Sequence, residues 1–249
     1  ITELPREVHK KGDHGDKGAP VFDARPLLSA ALQGHDIGLV SEAGMPAVAD
    51  PGSSIVRAAH DLGIAVMPLV GPVSLLLALA ASGMNGQNFA FVGYLPQSGP
   101  ERAQRMKELE SIALKTGQTQ VFIETPYRNA ALWQALTQTL QTNTRLAMAA
   151  GLTLETSQIH SQPVKQWRQK AAPVDNRTPT VFLIGRYAQA DHRATRPIRK
   201  SKTPGYRTGN RGFVFEKNSA GNVASEMAIT ASDYRNCGAA MAVAAFAAP

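Results

Sequence analysis

The chain has 249 residues, of which 43% are hydrophobic and 18% charged, enough apolar material for one large core or two small ones and too much for global disorder. A single cysteine, Cys237, allows no intrachain disulfide and supplies no metal-ligand pair, which predicts a reducing, cytoplasmic setting. The net charge of +7 suggests nucleic-acid binding until it is located: residues 1–185 carry 16 Lys+Arg against 15 Asp+Glu, and residues 186–217 carry 9 against 2. The excess is a basic tail on a nearly neutral body.

Residues 1–20, centred on KKGDHGDKG, have no apolar period and predict a loop. Residues 27–32 predict a short helix, and 37–40 after Gly34 a buried strand. The junction SEAGMPAVADPG (41–52) comes next, with Asp50 placed to cap the following helix and Pro51 to take its first position. That helix covers SSIVRAAHDL and stops at Gly63. A strand over 64–70, a Gly71-Pro72 turn and an apolar helix over 73–82 ending at Gly83 continue the pattern. Pro72 interrupts LVGPVSLLLALAASGM, and the part after that proline falls well short of the roughly 20 residues of a membrane span. No membrane association is expected. The alternation of strand and helix predicts a parallel sheet with ligand loops beyond its carboxyl ends.

NGQNF (85–89) is a polar break after which the pattern restarts. The strand FAFVGYL leads to an amphipathic helix over 100–116, with Met106, Leu109, Ile112 and Ala113 on one side. Strands are predicted at 120–124, 145–150, 158–164 and 180–184, a helix at 130–140, and a short helix or turn around Trp167. The fold class is therefore α/β, with mostly parallel or mixed sheets. The domains expected are 1–87, 88–188 and a basic, then alanine-rich tail at 189–249. That tail is expected to be disordered and to add no element to the core.

Three loops carry chemistry. In the first, Gly44 and Gly52 permit close backbone approach, Pro46 and Pro51 stiffen the path, and Glu42 and Asp50 offer acceptors; the alternative is a plain helix-capping connector. Gly71-Pro72-Val73-Ser74 presents N–H groups and a hydroxyl at a helix start, or simply a turn and a cap. Glu124-Thr125-Pro126-Tyr127-Arg128 ends a strand with a carboxylate, a hydroxyl, a ring and a guanidinium. Arg128 would bind a substrate phosphate there, unless it pairs with Glu124. The scattered histidines have no metal spacing, and no GxSxG, GxxxxGK[ST] or complete GxGxxG occurs.

SEAGMPAVADPG, VMPLVGPVSLLLALAASGM, FVGYLP, FIETPYR and PTVFLIG occur in the order found in the tetrapyrrole methylase superfamily, the class III S-adenosylmethionine-dependent methyltransferases. Over residues 20–186 the chain resembles this family, and within it the branch of ribosomal small-subunit RNA ribose 2′-O-methyltransferases. The opening segment of the family pattern has no counterpart in the chain, and SEAGMP and ETPYR replace that branch's SDAGTP and ESTHR. The resemblance implies two α/β domains with S-adenosylmethionine in the cleft between them, in a homodimer. By position, the donor would be lined by Glu42, Ala43, Gly44, Pro46, Val70, Ser74 and Leu75 from the first domain. The second would add Thr125, Tyr127, Leu152, Thr153, Pro179 and Thr180. Direct methyl transfer needs no metal, and Glu124 or Glu42 would serve as base toward a ribose hydroxyl. Ribosomal RNA is the implied partner. The rival expectations are a methyltransferase of tetrapyrroles or other small molecules and a non-catalytic RNA-binding remnant.

Overall fold

Apolar strand runs packed under helices organise the described residues into two sheets, one of three strands and one of five. The computed structural model describes residues 1–4, 22–41, 44–186 and the strand 240–245. A 3₁₀ turn (Arg25–Leu28) enters the short helix α1 (Ser29–Leu32), followed by strand β1 (Ile37–Ser41), helix α2 (Ser53–Asp61), strand β2 (Ala65–Pro68) and helix α3 (Ser74–Ser82). Gly63 and Gly83 stop the two longer helices as expected, both in the left-handed conformation, at φ 70° and 68°. Leu28, Leu39, Ile55, Ala59 and Ile64 form the core of this part.

The start of α2 differs from expectation. Its N-cap is Gly52, with no side-chain cap, rather than Asp50. The Ala47 N–H donates to the Pro51 carbonyl at 3.2 Å, which keeps Asp50 and Pro51 inside a closed loop instead of a first helical turn.

A second correction concerns the tail. Strand β8 (Ala240–Ala245) lies between β1 and β2 and runs parallel to both. Alanine is depleted in strands, so AMAVAA carries no strand signal of its own. Backbone pairing on both sides, not propensity, makes it a strand. Residues 187–239 and 246–249 lie outside the described residues, so the rest of that expectation does too.

The second sheet is built from β3 (Phe89–Tyr94), β4 (Thr119–Ile123), β5 (Arg145–Ala150), β6 (Gln158–Pro163) and β7 (Thr180–Gly185), in the order β3-β4-β7-β5-β6. Only β3 and β4 are parallel, so the sheet is mixed. Helices α4 (Gly99–Thr116), α5 (Asn129–Thr139) and α6 (Val164–Trp167) pack on one face, where Met106, Leu109, Leu132, Leu136, Trp133 and Trp167 meet Phe122, Leu146, Met148, Phe182 and Ile184. The other face, with Val121, Ala147, Ala149, Val181 and Leu183, meets Leu75, Ala78 and Leu79 of α3. Burial on both faces explains why the β5 and β7 sequences are continuously apolar rather than alternating. Ile112, predicted among the inward residues of α4, is 37% exposed. Glu110 is buried instead, accepting hydrogen bonds from the Gln141 N–H at 2.8 Å and the Thr144 hydroxyl at 2.5 Å. No helix among the described residues is long and apolar enough to cross a membrane.

Candidate active site

Strand direction gathers the loops. Since β1 and β2 both parallel β8, the segments 44–52 and 69–73 come after carboxyl ends at the same edge of that sheet. In the other sheet Ile123 is opposite Val181 and Ala150 opposite Thr180, so residues 124–128, 151–157 and 175–179 share one end.

Hydrogen bonds join these three segments. The Gly151 N–H donates to the Pro179 carbonyl at 3.1 Å. Asn129, at the start of α5, donates its amide to the Thr178 carbonyl at 2.9 Å and the Thr180 hydroxyl at 3.3 Å. The Ala130 N–H donates to Asn176 Oδ1 at 3.0 Å. Asn129 is fully buried, and its Oδ1 has no hydrogen-bond partner among the described residues. Such an orphaned acceptor is uncommon in a packed interior.

Asp175 shapes the approach to Pro179 by accepting from the Arg177 and Thr178 N–H groups and the Thr178 hydroxyl. The Thr178 N–H, then the Arg177 N–H and the Thr178 hydroxyl, hold its carboxyl below the usual carboxylate range. A depressed carboxyl stabilises the folded state in full above the ordinary aspartate value, and loses that contribution as pH falls through the lower folded value.

Glu124 organises the strand-end turn. Its Oε1 accepts from the Thr125 N–H at 2.7 Å, the Thr125 hydroxyl at 3.1 Å, and Arg128 Nε and Nη2 at 3.1 and 2.7 Å. The pairing of Glu124 with Arg128, one of the two arrangements open from the sequence, is thus the one observed. The glutamate side chain is 1% exposed and that of Arg128 23%, and the guanidinium lies 5.3 Å from the centre of the exposed Tyr127 ring.

One apolar cluster ties the first loop to this end of the second sheet. Met45, Leu152 and Ile123 all pack against the group that contains Val73, Leu75 and Val181. Among the described residues, the non-glycine positions with left-handed backbone are Ala47, Ala49 and Thr153, at φ 65°, 58° and 73°. All three fall in the loops already singled out. Conformations of this kind cost energy and concentrate at ligand clamps, and for a β-branched residue such as Thr153 they are outliers.

Residues 5–167 match the family described as Tetrapyrrole (Corrin/Porphyrin) Methylases. The chain belongs to the tetrapyrrole methylase family. It is 32% identical to the Ribosomal RNA small subunit methyltransferase I of Vibrio cholerae, over 67% of this chain and 57% of that protein. It is 33% identical to the protein of the same name from Mesorhizobium japonicum, over 70% of this chain and 58% of that one. The aligned part thus spans somewhat more than half the length of these curated relatives. A crystal structure of the methyltransferase CobJ covers 66% of this chain and 70% of its own, with 22% identity and a TM-score of 0.44.

Of the tetrapyrrole methylase positions named from the sequence, Glu42 and Ala43 lie outside the described residues. Gly44 and the buried Pro46 flank Met45, the first loop's contact with the apolar cluster. Leu75 and Leu152 meet in that cluster, and Ser74 opens α3 beside Leu75. Thr125, Tyr127 and Arg128 form one turn, which Asn129 and Thr180 connect to Pro179 and, through Gly151, to Leu152 and Thr153. Val70 is 87% exposed and stands apart from these contacts. Asn129 and Asp175 were missed from the sequence. An asparagine directly after TPYR, at the start of the predicted helix, was the one available signal for Asn129.

Thr153 permits a direct test of stored strain. We expect Thr153→Gly to stabilise the ligand-free protein by about 0.5–1 kcal/mol, the relief of left-handed strain less the greater freedom of glycine in the unfolded chain. Urea unfolding measures this, and an unchanged or lower midpoint would show that the threonine is not strained.

Proposed function

We propose that this protein is an S-adenosylmethionine-dependent methyltransferase acting on the ribose 2′-hydroxyl of small-subunit ribosomal RNA. The observation that carries the proposal is the convergence, at strand ends, of the loops that match the family's donor-binding motifs. The residues fit such a donor. Leu75, Leu152 and Met45 offer an apolar wall, Tyr127 an exposed ring, Thr125 and Thr180 hydroxyls, and Asn129 a buried acceptor without a partner. When bound, S-adenosylmethionine supplies an electrophilic methyl group on sulfur. A ribose hydroxyl taking up that methyl group would have to give its proton to a residue nearby. Glu124 Oε1 is taken up by Thr125 and Arg128, so we assign Glu124 to holding the turn and Glu42 to accepting the proton. Positioning of donor and acceptor then carries most of the rate.

The relatives named for ribosomal RNA favour RNA over a small-molecule acceptor, and the proposed setting is the cytoplasm. The proposed assembly is a homodimer. Helix α3 is apolar nearly all round, and its Leu76 and Leu77 remain 49% and 38% exposed, as a covered helix would not be. Calorimetric titration with S-adenosylmethionine, followed by transfer of its labelled methyl group to small-subunit RNA, tests the reading. Heat of binding and label on ribose are expected. Folded protein that gives no heat would overturn the enzyme assignment, and label found only on small precursors would overturn the RNA acceptor.

A further inference from the structure

A groove of about 680 Å³ lies between one face of α5 and the segment 167–172. Its floor is the edge-to-face pair of Trp133 and Trp167, each only 4% exposed, with ring centres 4.8 Å apart. Gln134 and Gln138 of α5 line it together with Arg168 and Lys170. At one end the groove reaches Ala130, whose N–H is bonded to Asn176 in the loop that leads to Pro179.

Helix α4 displays mixed charges, whereas α5, NAALWQALTQT, has no charged residue at all. Across residues 129–175 the acids are Glu155 and Asp175, set against Arg145, Lys165, Arg168 and Lys170. Arg168 is held in place by donating to the Thr137 and Leu140 carbonyls at 2.8 and 2.9 Å, and Lys170 donates to Gln162 at 3.1 Å. Neither cation has a carboxylate partner among the described residues. Fixed cations without counter-ions, in one groove with amides able both to donate and to accept, suit a ligand that offers both phosphates and base edges.

We propose that this groove holds a single-stranded segment of RNA, with Arg168 and Lys170 on its phosphates and Gln134 and Gln138 on its bases. This rests on the reading of the protein as an RNA methyltransferase, and gives the substrate a path leading away from the site at the Ala130 end. An acidic protein segment would satisfy the cations but leave the amides without a role.

The test uses the full chain, so that the basic tail contributes equally to every variant. Binding of a fluorescent, mixed-sequence single-stranded RNA oligonucleotide is monitored by anisotropy for wild type, Lys170→Gln, the double variant Gln134→Ala/Gln138→Ala, and a control, Lys107→Gln, on exposed α4 surface. Lys170→Gln is expected to bind about five- to tenfold more weakly and to lower the slope of log affinity against log salt by about 0.7, the share of one phosphate on a single strand. The amide variant is expected to lose affinity with its salt slope unchanged. Equal behaviour of Lys170→Gln and Lys107→Gln would overturn the proposal, as would displacement of the RNA by polyglutamate as readily as by unlabelled RNA. Calorimetry with S-adenosylmethionine separates the two readings. If the donor fails to bind while Lys170→Gln still loses RNA, the enzyme assignment falls and the groove stands.

Discussion

Replacing Glu124 by alanine is expected to destabilise the protein by about 2–3 kcal/mol. The carboxylate is almost fully buried, and its removal strands the Thr125 N–H and hydroxyl together with two nitrogens of Arg128. Breaking a fully buried pair costs about 3–5 kcal/mol, but Arg128 is 23% exposed and regains some solvation, which lowers the figure. Glu124→Gln keeps an acceptor oxygen while losing the charge, and should cost nearer 1 kcal/mol. Urea unfolding of both variants measures the effect. Binding of S-adenosylmethionine should weaken in the same order, since the turn that carries Thr125 and Tyr127 loosens. A different result, in which Glu124→Gln stays as stable and binds as tightly as wild type but no longer transfers methyl groups, would make Glu124 the proton acceptor and sink the organising role.

That a glutamate at a strand end should hold a turn together, rather than face a substrate, was not decidable from ETPYR. The same residues at the same spacing serve either arrangement, and only the direction of the Arg128 side chain separates them. Elsewhere the sequence was more informative. Apolar runs bounded by Gly34, Gly63 and Gly83 located the elements closely, because a glycine able to adopt positive φ is a local stop signal independent of tertiary contacts. Glu110 and Asn129 were illegible for the opposite reason. Each is buried by partners more than thirty residues away in the chain, Thr144 and Thr180, so no local pattern marks it. Strand β8 is the extreme case. Its alanines are weak strand formers, and nothing near residue 240 announces that β1 and β2 leave a gap between them for a further strand. The gathering of the site loops was partly legible, since loops at carboxyl ends of strands tend to converge, but the mixed second sheet brings in the start of β7 as well. The rule for parallel sheets does not predict that contribution.

The first loop should be the most sensitive to a single added methyl group. Gly52 has φ 135°, a conformation open to little besides glycine, and a Cβ placed there would lie 2.9 Å from Leu39 Cδ2 and 3.2 Å from the Ala47 nitrogen. Leu39 belongs to the buried core, and the Ala47 N–H is committed to the Pro51 carbonyl, so neither neighbour can yield without opening the loop. Backbone strain and overpacking each contribute about 1–3 kcal/mol, and we expect Gly52→Ala to cost about 3 kcal/mol in all. Gly63→Ala is the matched comparison, because Gly63 also has positive φ, at 70°, but nothing lies within 4 Å of an added Cβ. Its cost should be limited to left-handed strain, about 1 kcal/mol. The two variants should also separate in function. Gly52→Ala shifts Ala47 and with it Met45, the loop's contact with Leu75 and Leu152, so its affinity for S-adenosylmethionine should drop well beyond that of Gly63→Ala. Equal unfolding midpoints for the pair in urea would mean that the close approach of Gly52 to Leu39 and Ala47 is not what fixes this loop.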